Sequence, residues 1–341
     1  MEHKTSRSKR RATSYDVASL AGVSQSAVSR CFKPGASISV KTREKVIAAA
    51  TQLGYQPNAI ARGLITQRSN MAAVIVSAQL NFYYPEVLFQ LTEQLARHGI
   101  HVLLFTINEP ADMDKALDGL WRYQVDGVIS ASYLSRSQYR LLKDRGIPTL
   151  LFNRFFSDVE TNSVWCDPTA ATQELIDFLV GQGHARFAML EGPADSQVNM
   201  IRKSALKAAL ANHGLSFQCT AQGTYHYNSA AAATDSLLAS SPSFTALICC
   251  NDMMAMGAID RLRGQHSVDV PHDISVAGFD GVGAGQFSSY QLTTIRQPIA
   301  RMAARAVDVL MEDVQGDAAI VQRLSLPGHL IVGASTDSTP S

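Results

Sequence analysis

The sequence predicts a small all-α headpiece followed by an α/β core of two doubly wound lobes. Three observations predict it. Residues 14–30 read as two short helices joined by a tight turn. From Met71 onward, short apolar runs alternate with helical stretches, the pattern of a parallel sheet flanked by helices. Charge divides in the same place: residues 1–70 hold 12 Lys+Arg against 3 Asp+Glu, a net of +9, and the remainder carries −8.

The headpiece begins with Ser14-Tyr-Asp-Val-Ala-Ser-Leu-Ala. Ser14 is placed to cap the first helix and Ser24 the second, each offering an oxygen to unpaired backbone N–H groups. Gly22 falls where the chain must turn, a position that suits a residue free to take positive φ. Val17, Ala18, Ala21, Val23 and Val28 are small apolar residues that let the two helices cross closely. Gln25, Ser26, Ser29 and Arg30 stay polar on the second helix. Such a helix suits the major groove of DNA, where Gln pairs with adenine and Arg with guanine. An ordinary surface helical hairpin is the alternative. A third helix, Val40 to Leu53, is capped by Ser39 and stopped by Gly54. Its expected inner face is Val46, Ile47, Ala50 and Leu53, with Lys41, Arg43 and Lys45 outside.

The run Tyr15 to Leu64 resembles the DNA-binding headpiece of the LacI/GalR (lactose-repressor) family of bacterial transcription regulators. The matching pieces are Tyr15-Asp-Val-Ala18, Ala21-Gly-Val-Ser24, Val28-Ser-Arg30, Thr42-Arg-Glu-Lys-Val46, Gly54-Tyr55, Pro57-Asn58 and Ala61-Arg62-x-Leu64. The resemblance implies a helix-turn-helix that reads bases through Gln25, Ser26, Ser29 and Arg30, with Gln25 leading because Ser26 and Ala27 are small. Ser14, Tyr15, Ser24, Lys33 and Asn58 are expected on the DNA backbone; at Lys33 many relatives have Asn. Asn58 to Ile65 is expected to form a hinge helix on DNA. It would enter the minor groove with Ala61 and Arg62, and Leu64 would be the wedge that bends the duplex. The alternative is that Leu64 docks the headpiece on the core. Gly63 costs a helix about 1 kcal/mol against Ala, so the hinge is expected to be disordered without DNA.

The basic tail Lys4, Arg7, Lys9, Arg10 and Arg11 is expected to be a disordered arm that adds salt-dependent, non-specific attraction to DNA. A basic head on an acidic body fits DNA binding at one end only. No segment approaches the ~20 apolar residues of a membrane span, and no apolar stretch follows the basic N-terminus to make a secretory signal. Cysteines stand at 31, 166, 219, 249 and 250; an odd, scattered set points to a reducing cytoplasm and no disulfide framework. The expected location is the bacterial cytoplasm, in association with the nucleoid.

In the body, candidate strands are Ala72–Ser77, His101–Thr106, Gly127–Ser130, Thr149–Asn153, Ser163–Cys166, Arg186–Leu190, Thr220–Gly223, Ala246–Cys250 and Ser275–Phe279. Candidate helices are Val87–His98, Met113–Tyr123, Thr169–Gln182, Lys203–His213, Ala230–Ala239, Asp252–Arg263 and Arg301–Val314. The family resemblance extends to about Ser335. It is carried by Gly183-His184, Glu191-Gly-Pro193, Cys250-Asn-Asp-x-x-Ala-x-Gly-Ala258, Asp273-Ile-Ser-Val-x-Gly-Phe-Asp280 and Leu292-Thr-Thr-Ile-Arg-Gln-Pro298. It implies a core similar to a periplasmic sugar-binding protein, two lobes hinging around a small molecule. The expected division is an arm at 1–12, the headpiece at 13–57, hinge and linker at 58–70, the effector-binding and dimerisation core at 71–337, and a tail at 338–341. The N-lobe would take about 71–168 and 297–326, and the C-lobe about 169–296 and 327–337.

Ligands of open α/β sheets sit beyond the carboxyl ends of the strands. Tyr83, Tyr84, Asn153, Arg154, Asp167, Tyr225, Asn251, Asp252 and Asp280 follow candidate strands, and Arg202 is expected to begin the helix after the Gly-Pro turn. Sugars need such forked donors and acceptors with flat aromatic faces. The resemblance implies that Tyr83, Tyr84, Asp167, Arg202, Tyr225, Asn251 and Asp280 face the effector, and Asn153 joins them by position. The alternative for Asp167 and Asp252 is a helix cap, and for Arg202 and Asp280 an interlobe salt bridge. Where the family usually has Gly three residues after this Arg, the chain has Ala205.

No G-x-S-x-G, Walker loop or H-E-x-x-H is present, and the nine histidines show no metal spacing, His98 and His101 being too isolated. Gly281-Val-Gly-Ala-Gly285 reads as a flexible loop, not a phosphate cradle. No enzyme activity, cofactor or metal is expected. The expected function is a transcriptional repressor that binds a palindromic operator as a homodimer under allosteric control by a sugar or related small metabolite. The competing reading is a cytoplasmic sugar-sensing protein that acts on a protein partner. No heptad-bearing segment follows the core, so a dimer is expected and not a tail-linked tetramer.

Overall fold

The computed structural model describes residues 12–33, 35–56, 68–77, 82–240, 243–317 and 320–339. The chain forms two compact units, Met1–Ser69 and Asn70–Ser341. The hinge residues Asn58, Ala61, Arg62, Gly63 and Leu64, and the basic arm, lie outside the described residues.

The first unit holds α1 (Ser14–Ala21), α2 (Gln25–Cys31) and α3 (Val40–Leu53). Thr13, not Ser14, caps α1: its hydroxyl accepts from the Asp16 amide while the Asp16 carboxylate accepts from the Thr13 amide. This reciprocal box satisfies two donors at once, which a lone serine one residue later does not. Ser24 and Ser39 cap α2 and α3, and Gly22 and Gly54 end α1 and α3 at φ of 65° and 62°. The buried centre is Val17, Ala18, Ala21, Val28, Cys31, Val46, Ala49 and Ala50. Ala49 stands where Ile47 was expected. Positions 46, 49 and 50 share one helical stripe, whereas Ile47 lies about 100° around the helix and Leu53 lies in its last turn; both are exposed.

The second unit contains two sheets. The elements of the first are β1 (Met71–Ser77), α4 (Tyr83–Arg97), β2 (His101–Ile107), α5 (Pro110–Tyr123), β3 (Gly127–Ser130), α6 (Arg136–Asp144), β4 (Thr149–Phe152) and β5 (Asn162–Asp167). The second follows with α7 (Thr169–Gly181), β6 (Phe187–Glu191), α8 (Gln197–Asn212), β7 (Phe217–Gln222), α9 (Ser229–Ser240), β8 (Ala246–Cys249), α10 (Asp252–Gln265), β9 (Ser275–Asp280) and β10 (Thr293–Arg296). The chain closes with α11 (Ile299–Gln315), β11 (Arg323–Pro327) and β12 (His329–Ile331). The sheet orders are β11-β5-β4-β3-β1-β2 and β12-β10-β9-β8-β6-β7. All pairings are parallel except β10 with β12. In each sheet the order reverses after its first strand, which opens a crevice at β1/β3 and at β6/β8. The chain passes between the sheets after β5, after β10 and after β11, so the two lobes are tied by three strands of chain.

Strands β1, β3, β4 and β8 are buried on both faces, as parallel strands covered by helices must be. One apolar cluster fills the second lobe, from Leu175 and Phe187 to Ile259 and Phe279. In the first lobe, α5 and α6 cover one face of the sheet through Met113, Leu120 and Leu142. The other face packs on α4 and α11, and that cluster also takes in Met253, Met256, Val282 and Ala284 from the second lobe. The Gly281–Gly285 segment is not a loose loop: residues Gly283–Gln286 form a 3-10 turn with Ala284 and Gly285 buried.

Candidate functional site

In the headpiece, Gln25, Ser26, Ser29 and Arg30 of α2 are all exposed, as are Tyr15, Ser24 and Lys33. Burial of Val28 and Cys31 against α1 and α3 fixes which face of α2 remains outside. Ser14, released from capping, accepts a hydrogen bond from the Gln25 side-chain amide at 3.4 Å. Ser24 and Ser26 share a hydroxyl bond of 2.9 Å, and Arg30 Nε donates to the Ser26 carbonyl at 3.4 Å. The polar face of α2 is therefore loosely ordered by its own groups and open to solvent.

The second unit holds a cavity of about 220 Å³ at the carboxyl ends of both sheets' strands. From the first lobe it is lined by Ser77 at the end of β1, Tyr83 and Tyr84 at the start of α4, Ala131, Ser132 and Tyr133 after β3, and Asn153 and Arg154 after β4. The second lobe contributes Pro193, Asp195, Ser196, Val198, Arg202, Tyr225, Asn251 and Asp280, and Gln297 stands on the connection to α11. Of the residues expected to face an effector, Tyr83, Tyr84, Asn153, Arg202, Tyr225, Asn251 and Asp280 meet here. Asp167 does not: its carboxylate accepts from the Thr169 amide and hydroxyl at 2.9 and 2.6 Å and holds the start of α7. A carboxylate beside Pro168, which has no N–H, finds its nearest donors on the next residue.

A hydrogen-bonded chain runs through the cavity floor. Asn153 Nδ2 donates to Tyr83 Oη at 3.1 Å, Tyr83 Oη to Gln297 Oε1 at 3.2 Å, and Gln297 Nε2 to Asp280 Oδ1 at 2.7 Å. Arg202 Nη2 donates to the same Asp280 oxygen at 2.6 Å, and Nη1 to the Cys250 carbonyl. The chain thus links the first lobe to the second through Gln297. Arg202 lies inside α8, not at its start, because Ser196 caps that helix several residues earlier. Arg202 and Asp280 belong to the same lobe, so their bond is not the interlobe bridge considered from sequence. Their side chains are 7% and 9% exposed, and the guanidinium stacks 5.0 Å above the Phe279 ring.

Burial pushes the Asp280 carboxyl above the usual range, while Arg202 beside it pulls the other way. Burial also raises Tyr83, with the Asp280 charge adding to it, so the phenol stays a donor. Tyr225 is raised by burial too and shares a 3.2 Å hydroxyl bond with Ser196. Asn251 divides its amide between the Tyr225 carbonyl and the Met254 N–H, so it caps α10 and fixes Tyr225. Asn153, Tyr225 and Asp280 adopt positive φ of 54°, 65° and 112°. Such conformations are rare for side-chain-bearing residues and gather at sites that over-determine the backbone. Gly192 is required beneath them, since a Cβ there would strike the Tyr225 ring. Asp252 stands apart: it is fully buried, accepts from Thr294 Oγ1 at 2.6 Å and Val282 N at 2.8 Å, and burial pushes it up to about 8.

Sequence reasoning missed Ser77, Ser132, Tyr133, Asp195, Ser196 and Gln297. Gln297 carried the clearest signal, a polar residue between a strand and a Pro-started helix. The described residues hold no group of His, Cys, Asp and Glu fit for a metal, and no described helix is long and apolar enough to cross a membrane.

Residues 13–58 match the family described as bacterial regulatory proteins, lacI family, and residues 176–336 match a periplasmic binding protein-like domain. The chain is 30% identical over 313 residues to the HTH-type transcriptional repressor PurR of Histophilus somni, covering 89% of this chain and 92% of PurR. It is 29% identical over 311 residues to the HTH-type transcriptional regulator AscG of Escherichia coli, with 89% and 92% covered. Among solved structures, the lac repressor dimer bound to operator and the anti-inducer ONPF superposes with a TM-score of 0.86 at 27% identity, covering 96% of this chain and all of that one. A helix-turn-helix with an open polar face, two lobes of one topology around a polar cavity, and these similarities over nearly the whole length place the chain in the LacI family of bacterial transcriptional regulators.

Proposed function

We propose that this regulator represses transcription by binding a near-palindromic operator as a homodimer, and that a sugar or similar small metabolite in the core cavity controls that binding. The hydrogen-bonded chain from Asn153 through Tyr83, Gln297 and Asp280 to Arg202 carries the reading. It joins both lobes across the floor of the cavity, so a ligand that competes for its donors and acceptors changes how the lobes are held. Lobe closure and operator binding are then coupled free energies, and each alters the other's affinity. Tyr83, Tyr84, Asn153, Arg202, Tyr225, Asn251 and Asp280 are the proposed effector contacts. The polar cavity with aromatic faces supports a hydroxyl-rich ligand.

On DNA, Gln25, Ser26, Ser29 and Arg30 take the major groove, and Ser14, Tyr15, Ser24, Lys33 and Asn58 the backbone. Ala61, Arg62 and Leu64 take the minor groove, with Leu64 as the wedge. The exposed polar face of α2 and the net charge of +9 in residues 1–70 support this assignment. Two copies are needed because a two-fold operator demands a two-fold protein, and the lac repressor structure is itself a dimer on its operator. Exposed Phe89 on α4 and Leu104 on the edge strand β2 are apolar surface suited to a second copy. The division into arm, headpiece, hinge and core drawn from the sequence is part of this reading, as are the absence of catalysis and a location on the cytoplasmic nucleoid.

The test is capture of sheared genomic DNA by the full chain at near-physiological salt, followed by sequencing, with Leu64→Ala in parallel. A shared palindrome upstream of one set of genes, lost in the variant, is the expected result. Recovery of DNA without common sequence, in the presence as well as the absence of a small-molecule extract, would overturn the proposal in favour of a protein-directed sensor.

A further inference from the structure

We propose that the first-lobe wall of the cavity is an anion receptor, with Arg154 as its centre, and that the effector carries a phosphate monoester or a carboxylate on that side. The proposal rests on the reading of the cavity as the effector site, and it names the ligand class.

Two guanidinium groups line the cavity, and they differ in state. Arg202 is paired with the Asp280 carboxylate and donates to the Cys250 carbonyl. Arg154 is half-buried and donates from Nε to the Ala131 carbonyl at 3.2 Å. Among the described residues no carboxylate lies within 4 Å of it. The Nε bond fixes the plane of the guanidinium and leaves its terminal fork for a partner. A fork held this way matches the two oxygens of a carboxylate or phosphate.

The rest of that wall agrees. Ser77, Ser132 and Tyr133 add hydroxyl groups, and among the described residues none of the first-lobe lining is acidic. Helix α4 starts at the cavity with Tyr83 and Tyr84, and its N-cap residue, Phe82, makes no side-chain capping bond. The positive end of its dipole lies on the same side of the cavity. Glu86 in its first turn faces Arg296 at 3.6 Å, which offsets its charge. Both lining carboxylates, Asp195 and Asp280, belong to the second lobe; Asp280 is neutralised by Arg202, and Asp195 is exposed. The cavity is thus polarised, donor-rich and cationic on one wall, acceptor-bearing on the other. A ligand with an anionic group at one end and hydroxyls at the other fits in one orientation.

The test measures binding to the full chain by calorimetry and thermal shift. The probes are inorganic phosphate and the matched sets glucose, glucose 6-phosphate and glucuronate, and ribose and ribose 5-phosphate. At least one anionic probe is expected to bind at least about 10-fold more tightly than its neutral counterpart, the worth of one charge-assisted contact. R154Q is expected to lose that advantage, so that the anionic and neutral members of a set bind alike, while R154K, which keeps charge but not the fork, falls between. The unliganded unfolding temperature of each variant checks its fold. Phosphate-bearing against carboxylate-bearing probes separates the two sources of negative charge. Failure of every anionic probe to bind, equal binding of neutral and anionic members, or anion binding by a folded R154Q at wild-type affinity each overturns the proposal. R202M separates the two readings. If it loses probe binding while R154Q does not, only the anion receptor fails. If neither variant changes the binding of a probe, the cavity assignment itself fails.

Discussion

Replacing Asp280 by Asn isolates the charge at the centre of the cavity floor. Asp280 Oδ1 accepts from Arg202 at 2.6 Å and from Gln297 at 2.7 Å, and the ion pair is nine-tenths buried. Asn keeps the size and an acceptor oxygen, and it tolerates positive φ better than Ala, which matters at φ of 112°. What it removes is the negative charge facing a buried guanidinium. Breaking a buried pair outright costs about 3–5 kcal/mol. The retained hydrogen bonds, each worth about 1 kcal/mol when neutral, together with the Cys250 carbonyl and the Phe279 face, reduce that loss. The expected destabilisation of the core is therefore about 2–3 kcal/mol. Urea unfolding followed by circular dichroism measures it, with Arg202→Met and the double variant completing a cycle. The coupling between the two positions should exceed about 1.5 kcal/mol. Burial drives Asp280 toward its neutral form while Arg202 opposes it. If Asp280→Asn leaves stability within about 0.5 kcal/mol of wild type, the carboxyl is already neutral in the fold and the ion-pair reasoning fails.

Two further outcomes follow from the local geometry. Thr13→Ala should cost the headpiece about 1 kcal/mol by removing the hydroxyl that accepts from the Asp16 amide, whereas Ser14→Ala should leave that cap intact; equal losses on hydrogen exchange of α1 amides would refute the assignment. Asp252 titrates near 8 in the fold against 3.8 when exposed, so the folded state holds its proton more tightly. Its contribution to stability is complete below about 4 and is lost as pH rises through 8, by about 1.4 kcal/mol between pH 7 and pH 9. Asp252→Asn can turn its amide oxygen to Val282 and its NH₂ to Thr294, so it should lack that loss, and parallel pH profiles for the two proteins would contradict the argument.

Much of this arrangement was legible in the chain. Ser24, Ser39, Gly22 and Gly54 punctuate the headpiece because caps and left-handed turns need specific residue types. The apolar runs at β1, β3 and β8 announce strands buried on both faces. Polar residues just after those runs fall at the crevice because parallel strands all point their carboxyl ends the same way. Other features depended on distant partners. Helix α6 has a polar sequence with few apolar residues, and only Tyr139 and Leu142 anchor it in the first lobe's core. Strands β11 and β12 are short edge strands whose pairing is set by β5 and β10, far away in sequence. Asp167 shared its strand-end position with Asp280, yet one caps a helix and the other enters the cavity. The difference lies in Thr169 beside the first and Arg202, 78 residues away, beside the second. Gln297 takes its place from partners far away in sequence, Tyr83 in one lobe and Asp280 in the other, which periodicity does not report.

The central claim is that the core cavity governs DNA binding by the headpiece. It is tested most directly by titrating a captured operator fragment with the full chain, with and without the small-molecule fraction of a cell extract, for wild type and Arg202→Ala. The account predicts that the extract shifts wild-type operator affinity by at least about 5-fold, the lower end of allosteric coupling. Arg202→Ala should bind the same fragment with the same affinity whether or not the extract is present. A variant that folds, binds the operator and responds to the extract as wild type does would contradict the account.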